Sequence, residues 1–365
     1  MAKKDAEKAG DAHDEGTPHY CTLINMPPKP LPADVTGMRS RMILLVRTKW
    51  ANGTKLKYYF YNGAGDGSPA TWKGSTAQKN VVKQAFATWK NVGIGLEFEE
   101  TTDKNEAEVR IGFQRGDGSW SYVGRDVIDA APSPEERTMN FGWDITNEID
   151  TPIHEIGHTL GAPHEHQNPF AGIVWDEEAV YAALAAPPNS WPRETTFNNI
   201  IRKLSTSEVE GSTHDPNSVM HYPFGPGLIK EPAQFRNGIN PAGGLSAKDI
   251  EFVKKFYPPL TPADYIELKL SKSELLNIKA GQQKNFIFKP ASSKKYKIET
   301  FGTMDTVMVL FERTATEDVY LSGDDDSGTN FNSKMDIRLI KGRTYVIRIR
   351  LYYAEREGNG SVMVY

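Results

Sequence analysis

The feature of this sequence that most constrains its fold is a set of closely spaced histidines. His154, Glu155 and His158 have the spacing His-Glu-x-x-His, and His164 follows six residues later. Because side chains four positions apart lie on the same face of a helix, His154 and His158 can direct two imidazole nitrogens at one point. Thr151 is the predicted N-cap of this helix. The pattern therefore predicts a helix that presents two metal ligands on one face.

Gly161 explains how a third histidine can join the first two. A glycine at this position lets the backbone leave the helix sharply, and the turn brings His164 back toward the metal. Three imidazoles leave one position of a tetrahedral Zn²⁺ to water, which is typical of a catalytic zinc site. Glu155 lies beside the metal position, where a carboxylate can deprotonate that water. The residues therefore predict a catalytic zinc site with Glu155 as general base.

The extended pattern from His154 to His164 resembles the zinc motif of the metzincin metalloproteases. Residues 218–222 read Ser-Val-Met-His-Tyr and resemble the astacin form of the downstream Met-turn. The resemblance implies a zinc-dependent endopeptidase that hydrolyses a polypeptide substrate. It also implies that Met220 packs beneath the histidines without binding zinc. Tyr222 is then the tyrosine that ligates zinc at rest and stabilises the oxyanion during the reaction.

Residues 41–259 are predicted to form the catalytic domain. The resemblance implies an α+β metzincin fold, in which a twisted mixed sheet and helices enclose a zinc cleft between two subdomains. Strands are expected at 42–46 and 55–60, and Ser75 with Gln78 predicts a capping box before an apolar helical stripe. Residues 118–124 are expected to lie near a sheet edge, along which a substrate could add a strand.

Residues 263–365 have a different pattern, with short alternating strands and frequent turns that predict an all-β sandwich. Segments 300–305, 324–328 and 342–345 resemble the bacterial pre-peptidase C-terminal domain, an accessory module of secreted peptidases. That resemblance implies binding to extracellular matrix or polysaccharide. The aspartates at 324–326 could bind Ca²⁺ through oxygen ligands, and the alternative is a solvated acidic turn.

Residues 1–40 are interpreted as an extended N-terminal tail or pro-segment, because they are rich in proline around 27–32 and contain few apolar residues. Cys21 lies in this tail and is the only cysteine, so no internal disulfide can form. Thiolate is a strong zinc ligand, and Cys21 could close the vacant zinc position as a cysteine switch in a zymogen. The alternative is a thiol without functional consequence.

Three further residues either follow the zinc motif directly in the sequence or are also histidines. His166 and His214 are expected at the surface, because the metal site is complete without them. Glu165 matches the astacin glutamate that contacts the newly freed N-terminus of the mature enzyme. Whether such a contact forms here is left open, because no processing site stands out.

Composition and charge exclude several classes of partner. A net charge of −4 gives no electrostatic case for nucleic acid or for an acidic membrane surface. The longest apolar run, residues 179–186, is too short to insert into a membrane. Residues 1–16 lack the apolar segment of a secretory signal, so a secreted, extracellular location is expected from the resemblance alone.

A different class of function competes with proteolysis. The chain could be a non-catalytic zinc-containing protein that binds protein or matrix through its C-terminal domain. The intact Glu155 argues against this alternative, because a protease that has lost its activity has no need of a base.

Overall fold

The structure is a computed structural model. It describes residues 18–23, 49–50, 52–127, 133–204, 213–259, 265–279, 281–315, 318–352 and 356–365. Most of the predicted tail and the strand expected at 42–46 lie outside these residues. The boundary predicted between 259 and 263 falls almost entirely in the gap at 260–264 and stays a prediction.

A five-stranded sheet forms the upper part of the predicted catalytic region. It consists of β1 (Lys55–Phe60), β2 (Glu97–Glu100), β3 (Val109–Gly112), β4 (Trp120–Ser121) and β5 (Met139–Asn140). The strand order is β2-β1-β3-β5-β4. β1 is parallel to β2 and β3, and β3 is parallel to β5, whereas β4 is antiparallel to β5. The sheet is therefore mixed, and β4 lies at its edge, as expected for residues 118–124.

Helix α1 (Thr76–Asn91) packs its apolar face against this sheet. The predicted capping box is present, since Ser75 and Gln78 each accept the backbone N–H of the other. The buried side chains of its apolar stripe are Val82, Ala85, Phe86 and Trp89. The indole Nε1 of Trp89 donates to the carbonyl of Ile153 at 2.9 Å, which holds α1 against the zinc-motif helix.

The zinc-motif helix, α2, spans Asp150–Thr159. Thr151 was expected to be its N-cap, but it lies inside the helix and no side chain caps the first turn. Instead, Asp150 Oδ1 accepts the N–H of Gly244 at 2.8 Å, so a contact from a distant segment positions the start of the helix. Gly161 has a φ of +95°, a left-handed conformation that favours glycine, and the chain leaves the helix there.

The lower part of the catalytic region follows α2 and is mostly helical. Its elements are β6 (Val174–Trp175), α3 (Glu177–Ala185), α4 (Arg193–Thr196), β7 (Ile229–Glu231) and α5 (Ala247–Phe256). α4 continues as a π-helical turn over Phe197–Ile201. A hydrophobic core joins most of these elements, and Tyr20 and Cys21 of the tail belong to it. The described part of the tail is thus packed into the lower subdomain.

The C-terminal region is an all-β sandwich, which confirms the predicted fold class. Its strands are β8 (Ile266–Glu267), β9 (Glu274–Ile278), β10 (Gln283–Phe288), β11 (Lys294–Gly302), β12 (Thr306–Arg313), β13 (Asp318–Asp324), β14 (Lys334–Leu339), β15 (Thr344–Leu351) and β16 (Gly358–Val364). One sheet has the order β13-β12-β15-β10-β8 and the other β14-β11-β16-β9. An apolar core lies between them.

The sandwich contacts the catalytic region through a buried arginine. Arg348 Nη1 donates to the carbonyl of Gly53 at 2.9 Å, and its Nη2 contacts the carboxylate of Asp318 at 2.7 Å. A side chain at Gly53 would overlap this guanidinium, so the glycine permits the close approach. Within the described part of the chain, no helix combines the length and apolar character needed to span a bilayer.

Candidate metal centre

Four buried side chains converge on one point in the cleft between the two subdomains. The donor atoms of Cys21, His154, His158 and His164 all lie within 4.8 Å of one another. Cys21 Sγ is 3.2 Å from Nε2 of His154, 3.6 Å from that of His158 and 3.1 Å from that of His164. Among the described residues, no other group of three or more potential metal ligands occurs. Three nitrogens and one sulfur form a donor set that suits tetrahedral Zn²⁺.

The first two imidazoles are held in the orientation that a metal requires. Nδ1 of His154 lies 2.7 Å from the carbonyl oxygen of Val219, and Nδ1 of His158 lies 2.8 Å from that of Ala162. Because a carbonyl only accepts, each Nδ1 carries the proton and each Nε2 lone pair faces the shared centre. Burial lowers the pKa of His154 to about 4. The imidazoles are therefore neutral, as metal binding requires.

The Met-turn is linked to the metal centre through its backbone. The carbonyl of Val219 accepts from His154, and the carbonyl of Met220 accepts the N–H of Glu165 at 2.9 Å. A Cβ atom at Gly157 of α2 would overlap Met220 Sδ. The glycine inside the zinc motif thus lets the methionine side chain approach the helix that carries two of the histidines.

Asp249 holds the Met-turn in place through two hydrogen bonds. Its carboxylate accepts the hydroxyl of Ser218 at 2.6 Å and the N–H of Val219 at 2.9 Å. The same carboxylate accepts the N–H of Ser246 in the capping box of α5. The Ser-x-x-Asp spacing of this cap is visible in the sequence, but the second set of partners depends on tertiary structure.

Glu155 is fully buried, and neither carboxylate oxygen has a hydrogen-bond partner among the described residues. It lines a cavity of about 370 Å³ together with Cys21 and His154. Burial raises the pKa of Glu155 well above its ordinary value. A buried carboxylate without a partner is costly, and such groups usually have a catalytic role or bind a water or an ion. The donor set and this orphaned carboxylate together fit a zinc ion and a water molecule.

The hydroxyl of Tyr222 lies at the same centre. Its Oη is 2.5 Å from Nε2 of His164 and 2.8 Å from Cys21 Sγ, and it donates to the carbonyl of Cys21 at 2.8 Å. Its ring stacks against His154 with a centroid separation of 5.5 Å. Burial raises the pKa of this phenol well above its ordinary value, so the hydroxyl keeps its proton.

The tail crosses the cleft between the sheet edge and the lower subdomain. The N–H of Thr22 donates to the carbonyl of Ser119, next to β4, at 3.1 Å. The N–H of Leu23 donates to the side-chain oxygen of Asn199 at 2.8 Å. The tail therefore uses the edge at which substrate pairing was expected, and it places Cys21 at the metal centre.

Neither of the two histidines expected at the surface is fully exposed. His166 is buried, and its Nε2 lies 2.9 Å from the carbonyl oxygen of Asn199, so that expectation was wrong. Its ring stacks on Tyr222, which explains the burial. His214 is half-buried, with Nε2 located 3.1 Å from Nε2 of His221. Neither His166 nor His214 belongs to the group of potential metal ligands.

Glu165 has local partners in the lower subdomain. Its Oε1 accepts the N–H of Asp215 at 2.8 Å and the side-chain amide of Asn168 at 3.1 Å. Burial raises the pKa of Glu165 to about 7. These partners belong to the folded chain itself, and the contact with a freed N-terminus stays open.

In the acidic turn of the sandwich, residues 324–328, the first aspartate has a structural role. Asp324 Oδ1 accepts the N–H of Ser327 at 3.2 Å and the N–H of Lys334 at 2.7 Å. Over the described ranges, the three aspartates do not bring potential metal ligands together as the cleft does. These contacts favour the acidic turn over a calcium site.

Comparisons with known proteins agree with this geometry. The family model described as Astacin, a peptidase family, matches residues 47–257, which is more than half of the chain. Zinc metalloproteinase nas-36 of Haemonchus contortus is 26% identical over 218 residues, which cover 58% of this chain and 31% of that protein. Protein SpAN of Strongylocentrotus purpuratus is 26% identical over 195 residues, which cover 50% of this chain and 29% of SpAN. The chain thus spans less than a third of the length of these relatives.

A solved structure is also similar over most of its own length. The structure of myroilysin is 31% identical to this chain, with a TM-score of 0.51. The alignment covers 60% of this chain and 99% of the myroilysin chain.

Proposed function

Because this chain belongs to the astacin family of peptidases, we propose that it is a zinc-dependent endopeptidase with its active centre at His154, His158 and His164. The observation that carries the proposal is the position of Glu155. A fully buried carboxylate without a partner among the described residues lines the cavity beside three converging imidazoles. This arrangement suits proton transfer to and from a water molecule better than it suits structural stability.

Zn²⁺ held by the three imidazoles would supply Lewis-acid chemistry, which lowers the pKa of a water molecule and polarises a peptide carbonyl. Glu155 takes the proton from that water as its oxygen attacks the carbonyl carbon. The carbon–nitrogen bond then breaks, and Glu155 delivers the proton to the leaving amine. The hydroxyl of Tyr222, which lies on the His164 side of the centre, donates a hydrogen bond to the developing oxyanion.

We further propose that the chain is latent while its tail is in place. Cys21 Sγ approaches all three Nε2 atoms within 3.6 Å, so its thiolate can fill the position that a water molecule needs. Burial raises the pKa of the Cys21 thiol well above its ordinary value, and Zn²⁺ held by the three imidazoles would stabilise the thiolate against this effect. Activation then requires the tail to leave the cleft by cleavage or displacement.

The activity is tested with a peptide library incubated with the purified full chain and with Cys21→Ser, each with and without a chelator. Mass spectrometry of the products is the measurement. The proposal expects internal cleavage that the chelator abolishes and that zinc restores. Zinc binding by both chains without any cleavage would favour the competing function, a zinc-containing protein that binds polypeptides.

For the C-terminal sandwich, we propose binding to extracellular matrix or polysaccharide, consistent with a secreted protein. Exposed apolar side chains on the edge strand β13 support this role; they are Val319, Tyr320 and Leu321. Cosedimentation with insoluble collagen and with insoluble polysaccharide identifies the ligand. A calcium chelator should leave this binding unchanged, because the contacts of Asp324 favour an acidic turn over a calcium site. Tyr320→Ala should reduce binding to the correct ligand, and equal sedimentation of the two chains would contradict this surface.

A further inference from the structure

Tyr20, the residue before Cys21, fills an aromatic pocket in the lower subdomain. Its side chain is almost completely buried, and its ring stacks on Phe224 at a centroid separation of 5.7 Å. Tyr222 and Trp191 form two further walls, at 5.0 Å and 6.2 Å. The phenol Oη donates to the carbonyl of Pro223 at 2.8 Å. Apolar walls with one acceptor at the end are suited to a tyrosine side chain.

This pocket, defined by Trp191, Tyr222, Pro223 and Phe224, lies directly beside the metal centre. Cys21 Sγ occupies the centre, and Tyr20 is its neighbour in the chain. An extended chain advances about 3.3 Å per residue. The carbonyl of Cys21 accepts from the hydroxyl of Tyr222, the group proposed to stabilise the oxyanion. A peptide that follows the path of the tail with its scissile carbonyl at the metal therefore places a side chain within two residues of the cleaved bond in this pocket.

The tail is held there by contacts that any peptide backbone can make. The side-chain oxygen of Asn189 accepts the N–H of Tyr20 at 3.0 Å, and its Nδ2 donates to the carbonyl of Pro18 at 3.1 Å. On the other side, Thr22 N–H donates to the carbonyl of Ser119. Main-chain hydrogen bonds of this kind provide affinity for extended peptides, while side-chain pockets provide specificity.

We propose that the pocket occupied by Tyr20 is a specificity pocket for substrate, and that the enzyme selects peptides with tyrosine within two residues of the cleaved bond. The inference rests on the proposed peptidase function and adds a substrate class to it. Phenylalanine fits the same walls but leaves the carbonyl of Pro223 without a donor, so it binds less tightly than tyrosine. Alanine loses the buried ring surface altogether.

Peptide binding is measured with a chain that cannot hydrolyse the peptide. The full chain carries Tyr20→Ala and Cys21→Ala, which remove the two side chains that the tail places in the site, together with Glu155→Gln. Calorimetry of the zinc-loaded protein compares three peptides that differ only in Tyr, Phe or Ala at one position. The tyrosine peptide should bind about 100-fold more tightly than the alanine peptide. It should bind about fivefold more tightly than the phenylalanine peptide.

A matched pair of tryptophan variants locates the effect. Trp191→Ala should reduce the tyrosine-to-alanine affinity ratio about tenfold, because it removes one wall of the pocket. Trp143→Ala is the control, because Trp143 lines the same cleft but stacks on His19 instead of Tyr20. Its affinity ratio should not change. If the chain with Tyr20→Ala does not retain zinc, Tyr20→Thr replaces that substitution in all measurements.

Peptide hydrolysis by the same chain with Glu155 restored separates this inference from the proposed activity. Cleavage within two residues of tyrosine supports both proposals. Equal affinity for the tyrosine and alanine peptides, or cleavage only at bonds more than two residues away from tyrosine, overturns the pocket and leaves the peptidase proposal intact. Preferential binding of the tyrosine peptide without any hydrolysis overturns the peptidase proposal and leaves a tyrosine-binding pocket.

Discussion

The Sγ atom of Cys21 lies 3.1 Å from Nε2 of His164, a residue 143 positions further along the chain. The Cys21→Ser variant should therefore weaken the contact of the tail with the metal, because a neutral hydroxyl is a poor zinc ligand. Activity of the full chain should rise about tenfold, the change that a loss of roughly 1.4 kcal/mol in tail binding produces. A chelator should also remove zinc faster.

Peptide hydrolysis and the rate of zinc loss are the two measurements for this variant. Thr22→Ser is the control, since it alters the neighbouring side chain and preserves the backbone contact to Ser119. If Cys21→Ser behaves like Thr22→Ser in both assays, the tail does not control the site.

Gly157→Ala should destabilise the protein although alanine favours helices. A Cβ at this position overlaps Met220 Sδ, and overpacking of this kind costs about 1–3 kcal/mol. The urea midpoint of unfolding is the measurement, and zinc affinity should fall with it. Gly225→Ala is the control, because no neighbouring atom lies within 4 Å of the added carbon. A Gly157→Ala chain as stable as wild type would show that Met220 does not pack against this face of α2.

Asp249→Ala should weaken zinc binding although Asp249 is not a ligand. Its carboxylate orients Val219, whose carbonyl in turn orients the imidazole of His154. Loss of such outer partners typically reduces metal affinity by about 10- to 100-fold. Competition with a fluorescent zinc chelator measures the effect. Asp103→Ala, which alters an exposed carboxylate in the upper subdomain, is the control, and equal zinc affinity of the two variants would contradict this role.

Tyr257→Phe should loosen the C-terminal end of α2. The hydroxyl of Tyr257 donates to the carbonyl of Leu160 at 2.9 Å and accepts the N–H of Trp50 at 3.2 Å. Its loss leaves two buried backbone groups unpaired, at a cost of about 1–3 kcal/mol in the free energy of unfolding. Tyr320→Phe on the edge strand β13 should change stability little, because this side chain is 47% exposed. Equal unfolding midpoints for the two variants would show that water replaces the lost hydroxyl.

The sequence was sufficient to predict the elements whose signals are local. Spacing alone predicts that His154 and His158 share a helical face, and the Ser75–Gln78 capping box depends only on residues three apart. Most strands of the sandwich were predicted from alternation, but β9 was not, and neither was β13. Its apolar residues at 319–321 are consecutive and partly exposed, so the strand has no alternating pattern to reveal it.

Tertiary relationships could not be predicted in the same way. The start of α2 depends on the contact between Asp150 and Gly244, which overrides the local cap expected at Thr151. His166 is a polar residue that the fold buries among aromatic rings, including Tyr222 and Phe224. The path of the tail was proposed from the chemistry of one thiol, whereas the pocket for Tyr20 requires residues 191 and 222–224 to be brought together by the fold.

The central claim is that Glu155 transfers protons at a zinc ion held by three imidazoles. It is tested most directly by comparing peptide hydrolysis and zinc content of the Cys21→Ser chain with and without Glu155→Gln. The account predicts one zinc per chain in both proteins and a rate that falls about 10²- to 10⁴-fold when Glu155 becomes glutamine. Undiminished hydrolysis by the glutamine variant at full zinc occupancy would contradict it.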